Sequence, residues 1–275
     1  MQHVMALNED SAGFDRYAEM LQTAVVSARA NTSLRTYVIY DGRPNWLTEW
    51  LEGAGVTVVP CRSRFLAELQ EMSQRTGRIS AWRVGSGAML RIELPELFTR
   101  LEIADPYILY TDVDVLFLQD PVPVLEGMRP RHFAVAPERE PENYVTMNTG
   151  VMLMNTARLA RDTDRFVAFV RANLEDMSKA GWDQGAYRAY YGPHRPHQLR
   201  PARWDRLQPE LNWKPYWGHD EGAVIVHFHG PKPNDRSLLA LPQDEQPNRL
   251  WAIQDFVNDG YHAYCDIWDG FRSRV

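Results

Sequence analysis

The segment Tyr107-Ile-Leu-Tyr-Thr-Asp112-Val-Asp114-Val-Leu-Phe117 does most to narrow what this chain can become. Apolar residues crowd both sides of two acids, the pattern of a buried strand. Charged side chains are costly to bury unless they are paired or bind a cation. On an extended backbone, two aspartates one residue apart project from the same side. They can then grip one hard metal ion together. Open α/β sheets bind ligands at the carboxyl ends of their strands, and these acids sit at such an end. The competing reading is a solvated acidic turn, or caps for a following element.

The residues before this segment say what kind of sheet it enters. His3 to Leu7 reads as a first strand, followed by the polar loop Asn8 to Gly13. Tyr17 to Ala30 has helical spacing at Met20, Leu21, Ala24, Val25 and Ala28. Arg35 to Tyr40 is a strand, Asn45 to Glu52 a helix closed by Gly53, and Val56 to Val59 a third strand. Strand and helix alternating at this spacing imply parallel strands with right-handed crossovers. Residues 64 to 101 read as mainly helical, with a break at Gly85-Ser-Gly87. After the acidic strand come a strand at Phe133 to Ala136, a charged loop over 137 to 146, and a strand at Gly150 to Met154. An amphipathic helix over Arg158 to Met177 and a shorter one over Asp183 to Tyr191 follow. The remainder is rich in Pro and Trp, with six of the nine tryptophans after residue 180. One strand stands out there, Ala223 to His227, and the tail reads as helical near Arg249 to Val257.

With 275 residues, 44% of them hydrophobic, the chain can bury a sizeable core. No repeat, low-complexity stretch or linker divides it, so residues 1 to 275 are expected to form one domain. Its halves would be residues 1 to 120, ending in the acidic strand, and 121 to 275, which include the C-terminal tail. The net charge of −6 argues against a general nucleic-acid surface, whose usual footprint is basic. Most basic residues are arginine, so individual phosphate contacts remain open. Cys61 and Cys265 form neither a zinc motif nor a disulfide framework. No apolar run reaches the ~18 residues of a transmembrane helix, and the first residues do not resemble a signal peptide. A cytoplasmic protein, with peripheral membrane contact at most, is the expectation.

A second constellation is His227-Phe-His-Gly230-Pro-Lys232-Pro233. His227 ends an apolar strand. Imidazole suits transition metals and carboxylates suit manganese or magnesium, so an Asp, Asp, His set favours manganese over calcium. Gly230 allows close approach of a ligand to the backbone. Lys232 can neutralise a phosphate as a point charge. Taken alone, this stretch also reads as a strand-end histidine followed by a Pro-rich turn.

Together these segments resemble the GT-A-fold glycosyltransferases, and among them glycosyltransferase family 8, the glycogenin and lipopolysaccharide galactosyltransferase type. Ala88-Met-Leu-Arg91-Ile-Glu-Leu-Pro95 resembles the helix that carries an arginine ahead of the metal strand. Asp112-Val113-Asp114 resembles the metal motif. Asn148-Thr-Gly150-Val, Asp183-Gln184, Leu211-Asn212 and His227-x-x-Gly230 with Lys232-Pro233 follow in the family's order. The likeness spans about residues 1 to 235. The closing motif departs from it: one residue, not two, separates Gly230 from Lys232, and Asn234 stands where a tryptophan is usual. The first loop is also longer than usual between Asn8 and Tyr17.

The resemblance implies a fold and a set of roles, with residues 1 to 120 as the nucleotide-binding half and 121 to 275 as the sugar and acceptor half. The fold would be α/β: a mixed, mainly parallel central sheet flanked by helices, with a Trp/Pro-rich C-terminal segment. The donor would be a nucleotide-sugar, most simply a UDP-hexose, and the acceptor a glycan, a lipid-linked acceptor or another hydroxyl. Ala6, Leu7 and Asn8 would line the base or ribose, and Arg91 would reach the donor. Asp112, Asp114 and His227 would hold manganese, with magnesium as the alternative, against the diphosphate, beside Val113, Gly230 and Lys232. Asn148, Asp183 and Gln184 would surround the sugar, with Asn212 between them and an acceptor groove of Trp204, Trp213, Tyr216 and Trp217. Residue by residue, other readings stand: Asp183 as a helix N-cap, Arg91 as a surface arginine, the aromatics as packing. Two other functions compete. A nucleotidyltransferase wants a Gly-rich basic loop after its first strand, and Asn8-Glu-Asp-Ser-Ala-Gly is acidic. A non-catalytic sugar-binding protein predicts loss of the metal and nucleotide residues, which are intact.

Overall fold

The computed structural model describes residues 1–103, 105–192 and 203–275. Strand β1 (Gln2–Asn8), helix α1 (Phe14–Asn31), strand β2 (Arg35–Asp41), helix α2 (Trp46–Gly53) and strand β3 (Thr57–Pro60) alternate as the pattern predicts. β1 pairs parallel with β2, and β2 with β3. Parallel neighbours require a crossover, and α1 and α2 supply it. The face that α1 buries carries Met20, Leu21, Ala24, Val25 and Ala28. α2 opens with a capping box, in which Asn45 accepts from the Leu47 and Thr48 amides and Thr48 Oγ1 accepts from the Asn45 amide.

Helices α3 (Leu66–Arg75), α4 (Ala81–Met89) and α5 (Leu94–Arg100) follow, with a 3-10 turn over Leu90–Glu93. The expected break at Gly85-Ser-Gly87 is absent: both glycines lie within α4, and the chain breaks earlier, between Arg75 and Ala81. These glycines serve close packing. A Cβ on Gly85 would meet the Trp182 ring at 2.5 Å and Leu69 at 2.8 Å, and one on Gly87 would meet the Asn8 amide at 3.0 Å. Trp182 itself adopts a φ of 56°, a strained value for a bulky residue.

The acidic segment is not one strand. β4 (Tyr107–Thr111) lies in the main sheet, and β5 (Val115–Phe117) lies in a separate two-stranded sheet. The chain bends at residues 112 to 114, so the same-side geometry of an extended strand does not apply. A straight continuation would carry two carboxylates into an apolar sheet. The bend brings them to its edge, anchored on both sides. The Asp112 amide donates to the Gly150 carbonyl at 2.8 Å, and the Phe228 amide donates to the Asp114 carbonyl at 2.9 Å.

The chain continues through α6 (Val122–Leu125), β6 (Phe133–Pro137), β7 (Met147–Asn155), α7 (Thr156–Ala172), α8 (Leu174–Lys179), α9 (Asp183–Tyr191), β8 (Asp205–Arg206) and β9 (Ile225–His227). The helix expected over 158 to 177 divides at Asn173, whose side-chain amide donates to the Phe169 carbonyl at 2.8 Å and competes with the helix ladder. The main sheet has the order β3-β2-β1-β4-β7-β6-β8. β7 alone runs against the rest, antiparallel to β4 and β6. The sheet is therefore mixed and mainly parallel, with helices on its faces.

The tail differs from expectation. After α10 (Arg236–Leu239), the stretch expected to be helical near 249 to 257 holds the short α11 (Asn248–Trp251) and a 3-10 turn at Gln254–Phe256. The long helix is α12 (Asp259–Arg272), capped by Asn258, whose side chain accepts from the Tyr261 amide. α12 buries Tyr261, Tyr264, Cys265 and Trp268 in a cluster with Met20 of α1 and Phe228. Trp204 is half-buried and packs against Phe133 of the core at a centroid distance of 6.4 Å.

Gly85→Leu is expected to lower stability by about 1–3 kcal/mol through overpacking against Trp182 and Leu69. Gly53→Ala, where an added Cβ meets nothing within 4 Å, is expected to be neutral or mildly stabilising. Urea unfolding of both variants checks the contrast.

Candidate active site

Strand register assembles the acids and the histidine. β5 pairs antiparallel with β9, placing Val115 opposite His227, so His227 stands beside Asp114. Gly150 of β7 leaves the room, because a Cβ there would come within 2.0 Å of the His227 ring. His227 Nε2 lies 3.4 Å from Asp114 Oδ1 and 3.8 Å from Asp112 Oδ2. One ligand atom from each of the three lies within 4.8 Å of the others. Asp114 Oδ1 is buried and accepts no hydrogen bond, which is costly for a carboxylate oxygen. That orphaned oxygen, with a hard and borderline donor set around it, fits a divalent cation of the manganese type.

Burial pushes the Asp114 carboxyl up, but Lys232 and His227 outweigh it and hold it well below the usual carboxylate range. Lys232 Nζ donates to Asp114 Oδ2 at 2.6 Å and to the Phe228 carbonyl at 2.8 Å. The ammonium is thus poised at the metal triad. Burial works against its charge, and Asp114 outweighs burial and raises its pKa.

Arg91 is 5% exposed and is no surface arginine. Its guanidinium lies 2.6 Å from Asp112 Oδ1 and 3.0 Å from Asp183 Oδ2, donates to the Thr149 carbonyl, and sits 4.3 Å from the centre of the Tyr110 ring. Asp183 opens α9, but its carboxylate turns to Arg91 and to the Thr149 hydroxyl, which donates at 3.0 Å. It does not cap the helix. Burial pushes Asp183 up to about 6, with Arg91 pulling the other way.

A chain of amides runs from this cleft to the metal triad. Gln184 Nε2 donates to Glu138 Oε1 at 2.8 Å. Gln184 Oε1 accepts from Asn148 Nδ2 at 3.1 Å and from the Thr149 amide at 3.2 Å. Asn148 Oδ1 accepts from Asn212 Nδ2 at 2.9 Å and from the Gly150 amide at 3.0 Å. Asn212 Oδ1 then meets His227 Nδ1 at 3.0 Å. Amide orientation is a matter of partners, and here two main-chain N–H groups decide it. Each can only donate, so the atoms they meet on Gln184 and Asn148 are oxygens. It follows that Asn212 presents its oxygen to His227 and that Nδ1 donates to it, so that Nε2 is the ring nitrogen facing the aspartates.

Beside these groups lies a cavity of about 270 Å³ at the carboxyl ends of β1 and β4. Ala6, Leu7, Asn8, Arg91, Asp112, Val113, Asp114 and Asp183 line it. Asn8 directs both amide hydrogens at α4, to the Arg83 carbonyl (2.9 Å) and Ser86 Oγ (2.7 Å). Gly230 stands apart from the cavity lining, turning the chain at φ 109° beside Phe256. Trp213, Tyr216 and Trp217 pack mutually, with ring centroids 5.3 and 6.2 Å apart. The sequence reading misses Tyr17, Arg83, Gly87 and Tyr110 in the lining and Glu138 at Gln184. Glu138 follows the carboxyl end of β6, the kind of position that marks Asp112, but it lies in a loop of many charges that conceals it.

No protein-family model and no curated protein matches the sequence. Solved structures do match. The galactosyltransferase LgtC, in complex with donor and acceptor sugar analogues, aligns with 100% of this chain and 96% of its own at 16% identity and a TM-score of 0.62. Apo GlyE, a glycosyltransferase of Streptococcus pneumoniae TIGR4, aligns at 16% identity and a TM-score of 0.57 over 98% of this chain. This chain spans 63% of GlyE's length. Mouse xyloside xylosyltransferase 1 aligns with 83% of this chain and 98% of its own, at 12% identity and a TM-score of 0.53. The fold is therefore that of the GT-A glycosyltransferases. No helix among the described residues is long and apolar enough to cross a membrane.

Asn212→Leu removes the acceptor for His227 Nδ1–H, and loss of such an outer partner is expected to weaken manganese binding by about 10–100-fold. Gly150→Ala displaces the His227 ring and is expected to weaken it at least as much. Titration of each protein with manganese, followed by electron paramagnetic resonance of the free ion, reads both effects.

Proposed function

We propose that this chain is a metal-dependent glycosyltransferase that takes a hexose from a UDP-sugar and passes it to a hydroxyl of a glycan or lipid-linked glycan. The observation that carries the reading is the orphaned Asp114 oxygen within the Asp112, Asp114 and His227 triad, at the edge of a cavity on the carboxyl ends of β1 and β4. The structural likeness to LgtC, GlyE and the xylosyltransferase supports it through the fold.

In this reading Ala6, Leu7 and Asn8 flank the nucleoside, and Asp112, Asp114 and His227 hold manganese, with magnesium as the alternative. When bound, the metal supplies Lewis-acid stabilisation of the leaving diphosphate. Lys232 adds positive charge at the same place, which lowers the barrier most where charge develops. Asn148, Asp183 and Gln184 surround the sugar hydroxyls, and Arg91 keeps Asp112 and Asp183 in place between the two. Asn212 supports the set from behind.

Gln184 is a poor nucleophile. Its amide oxygen is weakly basic and already accepts two hydrogen bonds. We therefore favour front-face transfer with retention of configuration. The bond from the anomeric carbon to the diphosphate oxygen breaks, the acceptor oxygen bonds to the same face, and its proton passes to the departing phosphate oxygen. Trapping of a glycosyl adduct on Gln184 would count against this route.

Calorimetric titration with UDP tests the reading. Wild type is expected to bind UDP in a manganese-dependent manner, and Asp114→Ala is expected to lose that dependence. Failure of folded wild type to bind UDP with manganese present overturns the UDP-sugar assignment.

A further inference from the structure

The chain has three lysines among its 30 basic residues. Lys179 pairs with Glu175 on the surface, and Lys232 adjoins the metal triad. The third, Lys214, has no exposed surface at all. It has no salt-bridging carboxylate among the described residues. Its Nζ donates to the Pro137 carbonyl at 2.6 Å and lies 4.5 Å from the centre of the Trp217 ring. Burying an ammonium this way is costly, and a methionine of similar length would pack at less cost. Something must offset that cost.

The neighbours of Lys214 show what it does. Tyr216 Oη donates to the Glu138 carbonyl at 2.7 Å, and Trp217 Nε1 donates to the Arg139 carbonyl at 2.6 Å. Three side chains from one short segment thus take three consecutive carbonyls, 137, 138 and 139, where β6 runs out. Pro137 is the last residue of β6, opposite Met147, and the carbonyls of 138 and 139 lie beyond the strand, where they need donors. The middle residue of the clamped stretch is Glu138, whose carboxylate fixes Gln184 and so begins the amide chain that ends on His227. The segment that carries the clamp follows Asn212 directly, so both ends of the amide chain are tied to one stretch of backbone. Burial also drives the Lys214 pKa well below its ordinary value, with Glu138 opposing.

We propose that Lys214 is a positioning residue, which with Tyr216 clamps the 137–139 backbone and so sets the Glu138 carboxylate against the Gln184 amide. The proposal rests on the transferase reading for its effect on turnover, but the clamp itself can be observed without it. Lys214→Met keeps the volume and loses the donor. Tyr216→Phe removes the second tether and guards against a folding defect in the first variant.

Two measurements on each variant decide the matter. The first is the side-chain amide signal of Gln184 in a nitrogen–proton correlation spectrum, assigned by its disappearance in Gln184→Glu. It is expected to shift and to exchange faster with solvent in both variants. The second is steady-state transfer. We expect kcat to fall about tenfold with the donor KM within about twofold, since misplacement near reacting atoms costs rate more than binding. We also expect Lys214→Met to cost little more once Glu138→Gln is present, as residues acting through one another are not additive. An unmoved Gln184 signal in both variants overturns the proposal. So does a loss of kcat that adds in full to that of Glu138→Gln, which would make Lys214 a general structural prop. If wild type turns over no nucleotide-sugar and binds no UDP, the transferase reading is what fails, and the Gln184 signal alone judges the clamp.

Discussion

The ion pairing of Arg91 holds the cleft together. One planar guanidinium bridges Asp112 at the end of β4, Asp183 at the start of α9 and the Thr149 carbonyl in β7, while its face covers Tyr110. No neutral side chain could join those elements, because two carboxylates would then lie in a low-dielectric cleft without compensation. Removing one partner of a buried pair typically costs about 3–5 kcal/mol for that reason. The burial that works against the Arg91 charge is outweighed by Asp112 and Asp183. The same pairing settles their geometry, since a fork of fixed N–H directions leaves each carboxylate little freedom. Asp112 reaches the metal triad with one oxygen already committed to Arg91, which leaves the other to face His227.

The amide chain supplies the second half of the order. Four polar residues, Glu138, Gln184, Asn148 and Asn212, sit buried or half-buried between α9 and β9, and none of the three amides has a choice of orientation. The Thr149 and Gly150 N–H groups fix Gln184 and Asn148, and Asn212 follows from them. A buried network satisfied throughout is rigid, and one lacking a member is costly. Small residues stand where the network needs space: Gly150 admits the His227 ring, and Gly85 admits Trp182 ahead of Asp183. Preorganisation of polar groups before the reactants arrive is what makes them effective in catalysis.

Much of this is legible in the residues. The alternation of strands and helices up to Pro60 reads directly from apolar periodicity. The cost of burying Asp112 and Asp114 points to a site before any coordinates, and His227 stands out because it ends an apolar strand. What periodicity misses is breaks and contacts that depend on distant partners. Nothing local says that Tyr107 to Phe117 divides between two sheets. The division is imposed by pairing with β7 and β9, far along the chain. Gly85 and Gly87 look like helix breakers when read alone, yet Trp182 and Asn8 press on them from elsewhere. The α12 helix carries its apolar face plainly at Tyr261, Tyr264, Cys265 and Trp268, and the Pro- and Trp-rich stretch before it masks that signal. Glu138 is hidden among the charges of its loop.

The division of labour between arginine and lysine follows from the same geometry. Arg91 sits where several acceptors converge from different directions in one plane, which suits a guanidinium and would leave an ammonium short of reach. Lys232 sits where one carboxylate oxygen and one carbonyl lie close together. Lys214 sits where a single carbonyl and an aromatic face leave room for a compact amine. A guanidinium in either lysine site would bring five N–H donors where lysine brings at most three, and each further unmet donor would be buried at a cost. In a chain that otherwise uses arginine almost throughout, lysine at 214 and 232 marks two places around the cleft where one nitrogen on a slender stem is the group that fits.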